Sequence, residues 1–113
     1  MLTIYHNTRC SKSRQALDLL QQENREVQVI EYLKTPPTAA ELQSLAQKLH
    51  LKPEDLVRKQ EKLFKEKFAG KVYTDEEWVA ILVANPSLIE RPIVVKGDKA
   101  VIGRPPENVL ALL

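Results

Sequence analysis

The sequence predicts an α/β fold in which a mixed sheet, built from a βαβ block and then a ββα block, is interrupted by a helical insertion. Three observations predict it. A short β-branched and aromatic run, Leu2 to His6, passes through a polar turn into helical periodicity, and a second such run, Val27 to Tyr32, follows. After Pro86 the pattern returns to strands, Ile93 to Lys96 and Lys99 to Ile102. Residues 38–84, in between, carry helix signals and no strand alternation.

The elements follow in order. LTIYH reads as a buried first strand, and Asn7-Thr8-Arg9 as the turn after it. From Ser11, Ala16, Leu17 and Leu20 recur at spacings of three and four while Gln15, Asp18 and Gln22 face away, so a helix begins just after Cys10. Glu23-Asn24-Arg25 separates it from VQVIEY, a strand that a right-handed crossover lays parallel to the first. Thr35-Pro36-Pro37 then breaks the chain, and Thr38 with Glu41 has capping-box spacing ahead of Leu42, Leu45, Ala46 and Leu49. Pro53 is expected to open one helix that runs through LVRKQ and EKLFKEKF to Gly70. Thr74 and Glu77 form a second capping box for a helix over Trp78 to Ala84, which Asn85-Pro86 ends. Gly97-Asp98 fits a two-residue hairpin turn. Pro105-Pro106-Glu107 opens a C-terminal helix whose Val109, Leu110 and Leu113 are expected to pack on the sheet, giving helices on both faces.

Composition narrows the function classes. At 113 residues the chain is expected to form a single domain, 1–113, with enough core to fold without metal or disulfide staples. The net charge of +2 is spread over interspersed acids and bases, so neither nucleic acid nor a membrane surface is expected as a partner. The longest apolar run, Trp78 to Ala84, falls far short of the roughly 20 residues that span a bilayer. The N-terminus lacks the charged and apolar regions of a secretory signal, and one cysteine allows no intramolecular disulfide, so a cytoplasmic location is expected.

That cysteine sits in HNTRCSKSR, among His6, Arg9, Lys12 and Arg14. Buried structural cysteines usually have apolar neighbours, whereas cations favour the thiolate, which is the nucleophilic form. A position at a helix N-terminus adds the positive end of the helix dipole and unpaired N–H groups, which together also suit a phosphate-like oxyanion. His6 is a candidate to orient or support Cys10. No metal-ligand spacing links His6, Cys10 and His50, so no metal site is expected. Arg58, Arg91 and Arg104 each lie beside a break between elements, and Arg91 and Arg104 precede prolines that restrict them to extended or turn geometry. Guanidinium forks match tetrahedral oxyanions, so arginines converging on a thiolate would select such a substrate.

HNTRCSKSR after a first strand, then YLKTPPT, LVRKQE, NPSLIERPIVV and IGRPPENVL in this order resemble the glutaredoxin-coupled arsenate reductase family over nearly the whole chain. The resemblance implies a thioredoxin-like fold with a helical insertion. It implies Cys10 as nucleophile, Arg58, Arg91 and Arg104 as oxyanion-binding residues, and His6, Ser13 and Arg14 as supports around the thiolate. Pro92 would match the cis-proline that faces the active-site cysteine in such folds. The reaction so implied is reduction of arsenate to arsenite with no bound cofactor, glutathione as co-substrate and glutaredoxin as partner. Two other readings are a glutathione-dependent thiol-disulfide reductase and, by resemblance to Spx-type factors, a redox regulator that binds RNA polymerase. The latter usually carries CxxC, where this chain has Ser13.

Overall fold

The computed structural model describes residues 2–23 and 26–113, so Asn24 and Arg25, expected in the turn after the first helix, lie outside the described residues. The order is β1 (Leu2–His6), α1 (Ser11–Gln22), β2 (Val27–Glu31), α2 (Ala39–Leu49), a 3-10 turn (Pro53–Leu56), α3 (Lys62–Lys67), α4 (Asp75–Ala84), a second 3-10 turn (Pro86–Leu88), β3 (Ile93–Lys96), β4 (Lys99–Ile102) and a C-terminal 3-10 helix (Pro106–Leu112). The chain forms two compact units, Met1–Thr35 with Arg91–Leu113, and Pro36–Glu90. The expected insertion falls inside the second.

In the first unit the sheet order is β2-β1-β3-β4, with β1 parallel to β2 and antiparallel to β3, and β3 antiparallel to β4. This is the mixed sheet expected from the βαβ and ββα blocks. Ile4 lies opposite Val94, so strand alternation turns Leu2, Ile4 and Val94 to one face. There they meet Ala16 and Leu20 of α1 and Val109 and Leu112 of the C-terminal helix. Both helical elements of this unit therefore share one face of the sheet. Fully burying each large aliphatic contributes about 1.5–3 kcal/mol relative to exposure. The alternation that turns Leu2 and Ile4 inward does the same to His6, at the end of the strand.

The C-terminal helix departs from expectation in detail. With three residues per turn, Val109 and Leu112 fall on one side and are buried, whereas Leu110 stays 41% exposed and Leu113 packs only at the core's edge.

In the second unit both capping boxes form. Thr38 Oγ1 accepts from the Glu41 N–H at 3.2 Å while Glu41 Oε1 accepts from the Thr38 N–H at 3.1 Å, and Thr74 and Glu77 repeat the exchange at 3.1 and 2.9 Å. They start α2 and α4, whose Leu42, Leu45 and Ala46, and Trp78, Val79 and Leu82, are buried. The single helix expected from Pro53 to Gly70 does not form. Its first turn stops at Leu56, and Val57 makes an antiparallel bridge with Ile89. The Arg58 N–H donates to the Leu88 carbonyl and the Glu90 N–H to the Leu56 carbonyl, each at 2.7 Å. A distant strand-like partner thus takes up the backbone groups on either side of β-branched Val57 and overrides the local helix signal. Helix resumes only at Lys62, and Gly70, at φ +76°, follows its end.

Candidate active site

Cys10 occupies the N-cap of α1 in extended geometry, φ −94° and ψ 120°. The turn before it is closed by the Cys10 N–H donating to the Asn7 carbonyl at 3.0 Å, and Asn7 Oδ1 accepts from the Arg9 N–H at 3.0 Å. The first helical hydrogen bond runs from the Arg14 N–H to the Cys10 carbonyl, so the N–H groups of Ser11, Lys12 and Ser13 form the unpaired end of the helix. Arg14 then folds back, its Nη1 donating to the Thr8 carbonyl at 2.8 Å. Arg14 thereby braces the turn before Cys10 as well as adding charge beside it.

His6 and Ser13 meet because both lie on buried faces, His6 by strand alternation and Ser13 one helical turn before Ala16. His6 Nδ1 and Ser13 Oγ are 2.5 Å apart, and Ser13 Oγ also accepts from the Asn7 N–H at 3.1 Å. With that lone pair occupied, the hydroxyl hydrogen is available to a neutral imidazole at Nδ1. Burial, the largest cause, holds the His6 pKa below its ordinary value of 6.5; Glu31 opposes this, and Arg14 adds a smaller push downward. The pair therefore ties the start of the turn to α1 as an uncharged link.

A cation from the far end of the chain reaches the sulfur. Arg104 Nη2 donates to Cys10 Sγ at 3.6 Å, and Arg104 Nε donates to the Arg91 carbonyl at 2.8 Å, which orients the fork. Cys10 is 8% exposed, so the guanidinium reaches a thiol with little competing water. Gly103 makes the approach available. It is buried, its N–H donates to the Pro92 carbonyl at 2.8 Å, and a Cβ there would lie 2.8 Å from Pro92 Cγ and 3.2 Å from Val109 Cγ1. Pro92 is fully buried, and the Arg91–Pro92 and Arg104–Pro105 bonds are both cis.

Cys10, His6, Ser13, Arg14, Arg91, Pro92 and Arg104 all belong to the first unit, whereas Arg58 belongs to the second. The Arg58 side chain, 14% exposed, is ion-paired there with Glu61 and, at 3.9 Å, with Glu90. Sequence reasoning missed Gly103 as the spacer that admits Arg104; the small residue directly before Arg-Pro-Pro was the available signal. Among the described residues no three His, Cys, Asp or Glu side chains gather as metal ligands, and no helix is long and apolar enough to cross a membrane. The assembly is a thiol sulfur with a guanidinium donor and the open N-terminus of a helix beside it, an arrangement with the chemistry to attack an electrophilic oxyanion and hold its charge.

The chain is similar to known proteins over nearly its whole length. Residues 5–112 match the ArsC family. An uncharacterised Escherichia coli K12 protein, YfgD, is 46% identical over 112 residues, covering 97% of this chain and 94% of its own. An arsenate reductase of Neisseria meningitidis is 40% identical over 114 residues, covering 99% of this chain and 97% of its own. The solved arsenate reductase from Vibrio cholerae superposes with a TM-score of 0.95 at 45% identity, over 99% of this chain and 97% of that one.

Proposed function

This chain belongs to the ArsC family, and from that premise we propose that it is an oxidoreductase that reduces arsenate to arsenite through Cys10, with glutathione and glutaredoxin as reductants. The observation that carries the reading is the Arg104 Nη2 donor 3.6 Å from Sγ at the open N-terminus of α1. Cys10 thiolate attacks the arsenic of bound arsenate, and with two protons taken up one arsenic oxygen leaves as water, giving a thiol–arsenate adduct. Arg104 and the Ser11–Ser13 N–H groups offset the charge on the remaining oxygens. Arg91 belongs to the same oxyanion set, and its carbonyl holds Arg104 in place.

Electron counting supports an external reductant. Reduction of As(V) to As(III) takes two electrons, and Cys10 is the chain's only cysteine. A glutathione thiolate attacks Sγ, the S–As bonding pair departs with arsenic as arsenite, and Cys10 is left in a mixed disulfide with glutathione. A glutaredoxin thiolate then displaces Cys10 from that disulfide. The resemblance also assigns Arg58 to the oxyanion; a weaker arsenate affinity in Arg58→Ala is the outcome expected of that role.

The test is arsenate-dependent oxidation of NADPH in a mixture of the protein, glutathione, glutaredoxin and glutathione reductase. Turnover that scales with the protein supports the reading. A folded protein with no arsenate-dependent turnover would retract arsenate as substrate.

A further inference from the structure

The proposed reduction needs a second thiol, and a cavity beside the nucleophile turn carries the charges to hold one. It has a volume of about 200 Å³ and lies between Asn7–Arg9 and the C-terminal end of β2, wholly within the first unit. His6, Arg9, Glu31 and Lys34 line it. His6 is only 5% exposed, and Ser13 occupies its Nδ1. No hydrogen bond to Nε2 is seen among the described residues, and His6 lines the cavity, so its second ring nitrogen is left to serve a ligand there. Glu31 Oε1 and Lys34 Nζ are 3.5 Å apart, with side chains 39% and 78% exposed. An ion pair this open to water is weak and exchanges readily for ligand contacts.

We propose that this cavity binds the zwitterionic α-amino acid end of a peptide thiol, the γ-glutamyl group of glutathione being the fitting case. Its carboxylate meets Arg9, Lys34 and the His6 N–H, and its ammonium meets Glu31. A plain oxyanion would face Glu31 with no compensating positive charge of its own, so the mixture of signs favours a ligand that carries both. Complete small-molecule pockets run to about 300–1,000 Å³, so this volume suits one amino acid head rather than a whole tripeptide. Reach is sufficient. The closed Asn7–Cys10 turn keeps the cavity wall within about 7 Å of Cys10, Cα to Cα, and three extended residues span about 10 Å.

The site rests on the proposed function for its purpose but is tested without arsenate. Titrating the isotope-labelled protein with S-methylglutathione, which cannot form a disulfide, is expected to shift the amides of Asn7 to Arg9 and Glu31 to Lys34 in a saturable way. Acetate and inorganic phosphate should produce no comparable shifts. In turnover, Lys34→Glu is expected to raise the KM for glutathione about fivefold, and that for 2-mercaptoethanol, which lacks both charges, less than about twofold. Absent shifts, equal shifts with acetate or phosphate, or equal losses with the two thiols would overturn the site. A protein that binds the probe as described yet never reduces arsenate would retract the proposed function and leave this site standing.

Discussion

Removing the Arg104 side chain tests how the two ends of the first unit cooperate. The guanidinium contributes one N–H to Cys10 Sγ at 3.6 Å and is aimed by its Nε bond to the Arg91 carbonyl at 2.8 Å. A hydrogen bond to a charged group contributes about 1.5–3 kcal/mol when shielded, whereas a charge pair at this distance in bulk water is worth about 1 kcal/mol. Cys10 is buried but Arg104 is exposed, so solvent screening draws the value toward the lower half of that range. A loss of about 1–2 kcal/mol corresponds to a roughly 5- to 30-fold drop in kcat/KM for arsenate in Arg104→Ala. Arg104→Lys keeps the charge but replaces the planar fork with a single ammonium, so it is expected to recover only part of the loss. The coupled NADPH assay at saturating glutathione and glutaredoxin measures both variants. Wild-type kcat/KM in a folded Arg104→Ala protein would refute the assignment of Arg104 to the oxyanion and to sulfur.

Other outcomes follow from the same geometry. Gly103→Ala sets a Cβ 2.8 Å from the buried Pro92 ring, and overpacking of this kind is expected to lower stability by about 1–3 kcal/mol in urea unfolding and to reduce kcat/KM as Arg104 shifts. His6 is held below its ordinary pKa of 6.5, so between its folded value and about 6.5 the unfolded chain binds more protons and stability rises with pH. Its contribution is complete above about 6.5 and is lost as pH falls below that, with a slope of at most about 1.4 kcal/mol per pH unit; His6→Gln should flatten the curve in urea melts. An unchanged slope would show that His6 does not titrate between the two states. Arg58→Ala leaves Glu61 and Glu90 without their shared cation, so it should reduce stability as well as arsenate affinity, whereas Arg58→Lys should restore stability more than affinity.

What the sequence disclosed was what short-range physics controls. Both Thr-x-x-Glu capping boxes formed, α1 began directly after Cys10, and the strand run from Leu2 to His6 put every second side chain inward, His6 included. These signals are local because their partners lie within a few residues. The errors arose where a distant partner decided. Val57 left its helix for a bridge to Ile89, more than thirty residues away, and no periodicity between Pro53 and Gly70 announces that pairing. Leu110 was expected inside but is exposed, because the choice between 3-10 and α spacing over a seven-residue helix is made by packing. The site divides in the same way. The place of Cys10 at a helix N-terminus was legible, whereas the approach of Arg104 across 94 residues, and the glycine that permits it, depend on sheet pairing that sequence spacing does not encode.

In the proposed reaction Cys10 joins to arsenate and is then released by an external thiol. Mass spectrometry of the intact protein, incubated with arsenate and glutathione but without glutaredoxin, addresses both steps at once. The expected product is one glutathione per chain, mapped by proteolysis to Cys10, formed with stoichiometric arsenite only when arsenate is present, and absent in Cys10→Ser. Arsenite production that persists in a folded Cys10→Ser protein, or a wild-type protein that stays unmodified and makes no arsenite, would contradict it.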